Sequence, residues 1–386
     1  MLSLLWLLLP VAAASGWYVA KRTQSQQNPP KHSLSPQYFQ GLNYLIDEKP
    51  DKAIKVFCQL VEANDPQALE LHLALGNLFR RRGEVDRAIH IHLNLVNHDS
   101  ISSEFKYVAT VELAHDYLRA GLLDRAEGLL LDLLERNAGD AAVHALLQII
   151  YQQEKEWDKA VDIALRNTKI TEKQYKVIAH YYCELAEEQS NQRNPQRAFA
   201  LLEQALEYDN SCVRANIIKG RIYNQCDDYN KALGAYQSIA KQNAIYLGEV
   251  VREMLECSYQ VGNTSELMQF LRSNIKKQAD LRCVEAFVDL LRERKSDHQA
   301  AMFLINTLKS SPSLPLLHQL FQLNAKQVQG EMKDTLRIAN ETLTDLLKHR
   351  SSYICEDCGF SGRTLHWLCP GCKAWGSTVP ASNANL

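Results

Sequence analysis

The stretch GNLFRRRGEVDRAIHIHLNLV, from Gly76 to Val96, decides the fold of this 386-residue chain. Phe79 follows Gly76 by three positions, and Ala88 follows it by twelve. Such spacing lets a small residue of one helix meet a second helix, while the aromatic side chain fills the space one turn later. Gly83 supplies the permissive backbone that the turn between the helices needs. The stretch therefore predicts a helical hairpin.

The sequence around Ala88, at the start of the predicted second helix, is repeated along the chain. A polar residue, a basic residue and an alanine recur in six copies, and the steps from alanine to alanine are 35, 38, 34, 38 and 34 residues. Self-similarity at this period is typical of a helical solenoid. The pattern resembles the tetratricopeptide repeat, which implies an all-α, right-handed solenoid of stacked hairpins. The alanines are Ala53, Ala88, Ala126, Ala160, Ala198 and Ala232.

Two copies depart from the repeat pattern. Gln148 stands where the fourth copy needs a small residue, and Gln189 stands where the fifth needs an aromatic one. We expect these two hairpins to pack less regularly. Beyond Asn243 the pattern weakens, so the last two of about eight hairpins rest on periodicity alone.

The first residues have the length and polarity of a membrane span. From Leu2 to Ala20 no side chain is charged, and a helix of this length measures roughly 28 Å, close to the thickness of a bilayer's hydrocarbon core. Trp17 and Tyr18 suit the membrane interface, and Lys21 with Arg22 favours a cytoplasmic C-terminal end. We expect a single-pass anchor with the bulk of the chain in the cytoplasm.

A cleaved signal peptide is the alternative for this segment. The small residues from Ala12 to Ser15 support cleavage, which would leave a periplasmic protein that begins near Gly16. A signal peptide carries its positive charge before the apolar run, however, and Met1 to Leu5 has no basic side chain. The charge placement favours the anchor.

The composition argues against a nucleic-acid partner and for a reducing compartment. The formal net charge is -2 and no long basic run occurs, so nucleic acid is not an expected partner. Six of the ten cysteines occur singly in sequence that is predicted to be helical. Cysteines in such positions usually act as small buried apolar residues, which indicates a reducing compartment. These are Cys58, Cys183, Cys212, Cys226, Cys257 and Cys283.

The other four cysteines form two C-x-x-C pairs in YICEDCGFSGRTLHWLCPGCKAW, from Tyr353 to Trp375. Four thiolates at this spacing can surround one metal ion tetrahedrally, and zinc and iron both accept such a site. Gly359 and the Pro370-Gly371 pair supply the turns. We expect the ligands to be Cys355, Cys358, Cys369 and Cys372.

Other uses of these cysteines are less favoured. Disulfides are rare in the cytoplasm, and no βαβ pattern surrounds the pairs as it would in a thioredoxin-type centre. Four cysteines already complete a tetrahedral shell, so His366 is expected on the surface. Phe360, Trp367 and Trp375 are expected to cover the metal loops or to dock on the neighbouring helix.

These features divide the chain into six segments. They are a transmembrane anchor (1–20), a polar linker (21–34), the repeat array (35–311), a helical connector (312–350), the metal-binding module (351–380) and a tail (381–386).

The module resembles rubredoxin, with C-x-x-C-G-F and C-P-G-C as its two knuckles. An apolar N-terminus, a tetratricopeptide array and a rubredoxin-like end together resemble the lipopolysaccharide assembly protein B family of Gram-negative bacteria. The resemblance implies one iron ion on the four cysteines, with zinc as the alternative, and a place in the inner membrane facing the cytoplasm. It also implies partners: a membrane AAA+ metalloprotease, the deacetylase that commits precursor to lipid A, and other lipopolysaccharide-assembly proteins.

Two functional hypotheses follow. Neither makes the protein an enzyme, because no group of residues in the sequence has the pattern of a catalytic site. The first is an adaptor that promotes proteolysis of the deacetylase and so restrains lipopolysaccharide synthesis. The second is a rubredoxin-type electron carrier tethered to a repeat scaffold. First helices of such hairpins normally line the groove that binds partners, which makes four residues partner-binding candidates: Asn77, Arg80, Arg221 and Asn224.

Overall fold

The computed structural model describes most of the chain after residue 65. The described residues are 66–99, 101–167, 170–275, 280–325, 331–348 and 352–381, with short helical stretches among 17–59. No helix among them is long and apolar enough to cross a membrane. The predicted anchor lies outside the described residues except at Trp17 and Tyr18.

The chain is mostly helical and solenoid-like, and it divides into two compact units, residues 1–136 and 137–386. In the first unit the described hairpins pair α1 with α2 and α3 with α4. Their bounds are α1 Pro66–Arg81, α2 Val85–Val96, α3 Ser103–Ala120 and α4 Leu123–Arg136.

The second unit continues with hairpins of the same kind. A 3-10 helix, Ala244–Glu249, interrupts the succession after α10. The helices are α5 Ala141–Glu154, α6 Trp157–Leu165, α7 Glu172–Asn191, α8 Pro195–Tyr208, α9 Val213–Gln225, α10 Tyr229–Asn243, α11 Val251–Val261, α12 Thr264–Ile275, α13 Leu281–Arg294, α14 Asp297–Ser310, α15 Leu314–Ala325 and α16 Glu331–Lys348.

The repeat alanines lie where the pattern predicts. All six are fully buried, and so is Ala300, while Leu267 is almost fully buried. Leu267 and Ala300 stand five positions after Gly262 and Lys295. The alanines from the second to the sixth copy likewise stand five positions after their own turn residues. The repeat therefore persists in the hairpins whose sequence had become degenerate, with Leu267 in place of one alanine.

Close helix approach explains the small residues of the first helices. A Cβ added to Gly76 would lie 2.3 Å from the ring of His92, and one added to Gly220 would lie 2.2 Å from the ring of Tyr236. Both rings come from the second helix of the same hairpin. The predicted packing of a small residue against the second helix is thus confirmed.

The turns between paired helices share one backbone conformation. Gly83 (φ 84°) and Gly121 (φ 75°) are left-handed, and the residues at the same position of the next three copies are left-handed without being glycine. A residue with a side chain costs on the order of 1 kcal/mol more than glycine in this conformation. The three are Lys155 (φ 60°), Arg193 (φ 60°) and Asp227 (φ 58°).

The C-terminal module is a small antiparallel sheet, which adds β-structure to the helices described elsewhere in the chain. Its strands are β1 Tyr353–Cys355, β2 Ser361–Gly362 and β3 Thr378–Pro380, in the order β2-β1-β3. Tyr353 lies opposite Gly362 on one side and Pro380 on the other.

Two glycines of the α9–α10 hairpin test the packing. We predict that Gly220→Ala lowers stability by about 1–3 kcal/mol, because the added methyl group overpacks against Tyr236. Gly234, on the exposed face of α10, has nothing within 4 Å of an added Cβ. Gly234→Ala should therefore raise stability by about 0.5–1 kcal/mol. Denaturant unfolding followed by circular dichroism measures both, and stabilisation by Gly220→Ala would contradict the packing.

Candidate metal centre and its docking surface

The structure brings the four predicted cysteine ligands together at one end of the module. Their sulfur atoms all lie within 4.8 Å of one another. The Sγ atoms of Cys355 and Cys372 are 3.8 Å apart, and those of Cys358 and Cys369 are 3.7 Å apart. Metal–sulfur bonds of about 2.3 Å in a tetrahedron would separate the sulfur atoms by about 3.8 Å. The four thiols therefore fit one tetrahedral metal ion.

Two equivalent knuckles position these sulfur atoms. The Gly359 amide donates to the Cys355 carbonyl at 2.9 Å, and the Lys373 amide donates to the Cys369 carbonyl at the same distance. Gly359 and Lys373 directly follow the second cysteine of each pair, and both are left-handed, with φ of 75° and 61°. The predicted turn at Gly359 is confirmed, while in the second knuckle the left-handed residue is Lys373.

Gly371 has a different role, which is close approach to sulfur. A Cβ at this position would lie 3.3 Å from Sγ of Cys358 and 3.8 Å from Sγ of Cys369. A larger residue here would crowd the space that the thiolates need around the metal. The Pro370-Gly371 pair thus makes room for the ligand cluster besides turning the chain.

A neighbouring hydroxyl favours the ligand role of Cys355. A hydrogen bond from the Ser377 hydroxyl, at 3.2 Å, lowers the pKa of Cys355 to about 6, towards the thiolate that binds metal. His366 lies outside the sulfur cluster. Its Nε2 is hydrogen-bonded to the Thr364 hydroxyl at 3.0 Å, in keeping with its expected place near the surface.

The module docks on the helical hairpins through Trp375. The indole N–H donates to Oε1 of Gln152 at 2.9 Å across a sequence separation of 223 residues. The ring meets Trp157 edge-on at 6.0 Å between centroids and Tyr181 edge-on at 5.8 Å. Aromatic pairs of this geometry each stabilise by about 0.5–1.5 kcal/mol beyond the area that they bury. Trp375 is therefore an anchor of the module.

A buried histidine completes the Trp375 contact. The rings of His180 and Trp375 stack at 5.2 Å with an angle of 20°. Burial and, to a smaller extent, the nearby Arg214 together lower the pKa of His180 to about 3, so the imidazole is neutral at physiological pH. Gly376 (φ 62°) fits against this ring, because a Cβ there would lie 2.9 Å from Nε2 of His180.

A second aromatic, Trp367, joins the module to the 3-10 helix. Its ring lies 5.9 Å from that of His180 and 5.6 Å from that of Tyr246. The Tyr246 hydroxyl donates to the Thr378 carbonyl of β3 at 3.0 Å. Burial raises the pKa of Tyr246 to about 12, so the phenol keeps the proton that it donates.

A third contact fixes strand β1. The Tyr353 hydroxyl donates to Oε1 of Glu249 at 2.8 Å and accepts from Nη1 of Arg282 at 3.0 Å. Arg282 also pairs with the same Glu249 carboxylate at 2.5 Å. The module is thus held by α5, α6, α7, the 3-10 helix and α13. We name these contacting residues the docking surface: Gln152, Trp157, His180, Tyr181, Tyr246, Glu249 and Arg282.

The docking surface was not predicted. Trp367 and Trp375 were expected on the metal loops or on the neighbouring helix, which is α16, and they pack on hairpins far earlier in the chain. Two signals in the sequence pointed there. The copies that depart from the pattern, at Gln148 and Gln189, belong to the two hairpins that carry most of this surface. Gln152 also occupies the repeat position that Arg80 holds in its own copy, eight residues before the alanine.

Three of the four predicted partner-binding residues contact the next hairpin, and the fourth, Asn77, contacts Arg80 in its own helix. Arg80 pairs with Glu112 and Asp116 of α3 at 2.5 and 2.9 Å, and it also donates to the Asn77 side chain. Arg221 pairs with Glu253 of α11 at 3.3 Å, and Asn224 accepts from the Cys257 thiol. Arg221, with half of its side chain exposed, is the most accessible of the ion-paired residues in this set. Partner binding by all four stays a prediction.

Stacked hairpins that end in a four-thiol knuckle define a class, the tetratricopeptide-repeat scaffold proteins with a metal-binding module. Residues 353–380 match a family model described as a rubredoxin metal binding domain, and residues 40–96 and 183–245 match the tetratricopeptide repeat. The metal site therefore takes a single ion.

The chain belongs to the lipopolysaccharide assembly protein B family. It is 34% identical over 385 residues to lipopolysaccharide assembly protein B of Escherichia coli (strain K12), with 98% of each chain covered. It is 31% identical over 396 residues to the protein of that name from Haemophilus influenzae, with 99% of each covered. Its relatives are named as assembly proteins, and its repeats are scaffold domains, so the chain is a non-enzymatic adaptor.

Removing two of the ligands tests the centre. We predict that the double variant Cys355→Ser, Cys358→Ser falls from one metal ion per chain to nearly none, measured by elemental analysis of the purified protein. Tryptophan emission should shift to longer wavelength, because Trp367 and Trp375 leave the docking surface when the module unfolds. Cys226→Ser, which changes an exposed free cysteine far from the cluster, is the matched control. Unchanged metal content in the double variant would contradict the ligand assignment.

Proposed function

We propose that the protein is an adaptor of the inner membrane that restrains lipopolysaccharide synthesis. It presents the deacetylase that commits precursor to lipid A to a membrane AAA+ metalloprotease, which degrades it. The observation that carries this proposal is the family relationship over 98% of the chain to proteins named for lipopolysaccharide assembly. The helical hairpins support a role in binding proteins, because repeats of this kind present extended surfaces to partners.

The apolar segment from Leu2 to Ala20 anchors the adaptor, with the remainder of the chain on the cytoplasmic side. Lys21 and Arg22 support this orientation, since basic residues flanking a span are retained in the cytoplasm. Confinement to the membrane raises the effective concentration of partners that share it. An adaptor whose protease and substrate meet at the membrane gains most from such confinement.

The metal-binding module holds an iron ion, and the role of this ion is structural. The likeness of residues 353–380 to rubredoxin supports iron. The docking surface supports a structural role, because Trp367, Trp375 and Tyr353 together join the module to five helical elements. A module of fewer than 40 residues buries too little apolar surface to fold alone, so the ion supplies most of its stability, about 10–16 kcal/mol in comparable peptides. The metal thereby fixes the helices that the module touches.

Among the predicted groove residues, Arg221 is the best placed to meet a partner. Half of its side chain is exposed, and its ion pair with Glu253 at 3.3 Å lies on the surface. Surface pairs of this kind contribute about 0–1 kcal/mol, so a partner's carboxylate can replace Glu253 at little cost. Arg80 is enclosed by two carboxylates and is less available.

Deleting the anchor tests the proposal. We predict that a chain without residues 2–20 folds but no longer regulates, so that the cellular half-life of the deacetylase lengthens several-fold. The physical reason is the lost effective concentration at the membrane. Pulse-chase measurement of the deacetylase in cells lacking the native protein reads out the effect.

The control variant carries an unrelated single-pass helix of the same length and orientation, and it should restore rapid turnover. Full regulation by the soluble chain would overturn the anchored-adaptor proposal. The same protein with zinc in place of iron distinguishes the adaptor from the electron-carrier alternative, because zinc does not change oxidation state. Turnover supported equally by zinc and iron fits the structural role, and loss of turnover with zinc would favour electron transfer.

A further inference from the structure

The last repeat hairpin carries a polar cavity at the positions that correspond to the predicted partner-binding residues Asn77 and Arg80. Asp289 and Arg292 lie eleven and eight residues before Ala300, as Asn77 and Arg80 lie before Ala88. Both residues line a cavity of about 560 Å³ between α13, α15 and α16. This volume is in the range of pockets that hold small groups or side chains. His318, Gln319 and Asn340 line the opposite walls.

The cavity has an excess of negative charge. Among the described residues that line it, Arg292 supplies the one guanidinium, which is already shared between Asp289 at 3.4 Å and Asp297 at 3.0 Å. Glu285 lines the same cavity, and among the described residues it has no ion pair within 4 Å. One carboxylate therefore lacks a cationic partner at a partly enclosed site.

The excess of negative charge and the burial of the site both affect the pKa of Glu285. Burial raises the pKa of its carboxyl group, and the carboxylates of Asp280 and Asp289 raise it further. The guanidinium groups of Arg252 and Arg282 act in the opposite direction without cancelling these effects. A cation that entered the cavity would stabilise the charged form of Glu285.

Two further acceptors lack hydrogen-bond donors. Oε1 of Gln319 and Oδ1 of Asn340 are buried and have no hydrogen-bond partner among the described residues. A buried acceptor without a donor costs about 1–3 kcal/mol. Gln319 and Asn340 both line the cavity, so a small rotation of either side chain would bring its unpaired amide oxygen beside the carboxylate of Glu285, where a cationic group with several N–H donors would bind both.

We propose that this cavity binds an arginine side chain from a segment of a partner protein. A guanidinium carries five N–H donors in a planar fork that matches a carboxylate, whereas an ammonium carries three on a single nitrogen. The inference rests on the adaptor function, and it assigns the last hairpin, rather than the metal module, as one partner-binding site. The occupant is defined by charge complementarity with Glu285.

Binding of labelled peptides to the full-length protein in detergent tests the proposal. The probes are two pools of fluorescein-labelled, end-blocked nine-residue peptides with mixed alanine, serine and threonine flanks. One pool has arginine at the centre, and the other has citrulline, which is nearly isosteric and neutral. We expect fluorescence anisotropy to show at least tenfold tighter binding of the arginine pool, and Glu285→Gln to reduce this preference to less than twofold.

The matched control is Glu207→Gln, which neutralises an exposed glutamate of α8 outside the cavity and should leave the preference unchanged. Equal binding of the two pools by the unaltered protein would overturn the proposal, and so would a preference that survives Glu285→Gln. The assay needs no deacetylase or protease. If the peptide test fails while turnover of the deacetylase still depends on the anchor, only the arginine site is wrong, and the adaptor function stands.

Discussion

The contact of Trp375 with Gln152 and the rings around it is the constraint on which the second unit depends. Most contacts in a repeat protein join residues close in sequence, because each hairpin packs on its neighbours. This hydrogen bond instead joins residues 223 positions apart. Together with the Tyr246–Thr378, Tyr353–Glu249 and Tyr353–Arg282 bonds, it ties the module to helices drawn from residues 141–294. These long-range contacts restrain hairpins that would be free to shift if each hairpin packed only on its neighbours.

Metal binding and docking are coupled through the same few residues. The knuckle that places Cys369 and Cys372 runs directly into Trp375, and the Gly376 amide donates to the Trp367 carbonyl at 2.7 Å. The two anchoring indoles are therefore positioned by the loop that the metal orders. His180, neutral and fully enclosed, contacts both indoles. The indoles cover this neutral ring, and its Nδ1 has no hydrogen-bond partner among the described residues.

The sequence was informative where local rules set the structure. A small residue, an aromatic and an alanine at fixed spacing predict close helix packing, and the fully buried alanines and the contact of Gly76 with His92 confirm it. Cysteine spacing predicts the sulfur cluster, because each knuckle is a short loop. The docking surface could not be predicted in the same way. Gln152, Trp157 and His180 acquire their role from a segment about 200 residues later, and no local spacing encodes that contact.

The departures from the repeat pattern were nevertheless the useful clue, since the fourth and fifth hairpins, which contain Gln148 and Gln189, also carry most of the surface that receives the module. The central claim is that the metal stabilises those hairpins as well as the knuckle. Hydrogen exchange measured by mass spectrometry on metal-loaded and metal-free protein tests this claim directly. The account predicts that metal removal speeds exchange in 353–380 and also in the helices that bear Gln152, Trp157 and His180. Faster exchange confined to 353–380 would contradict it.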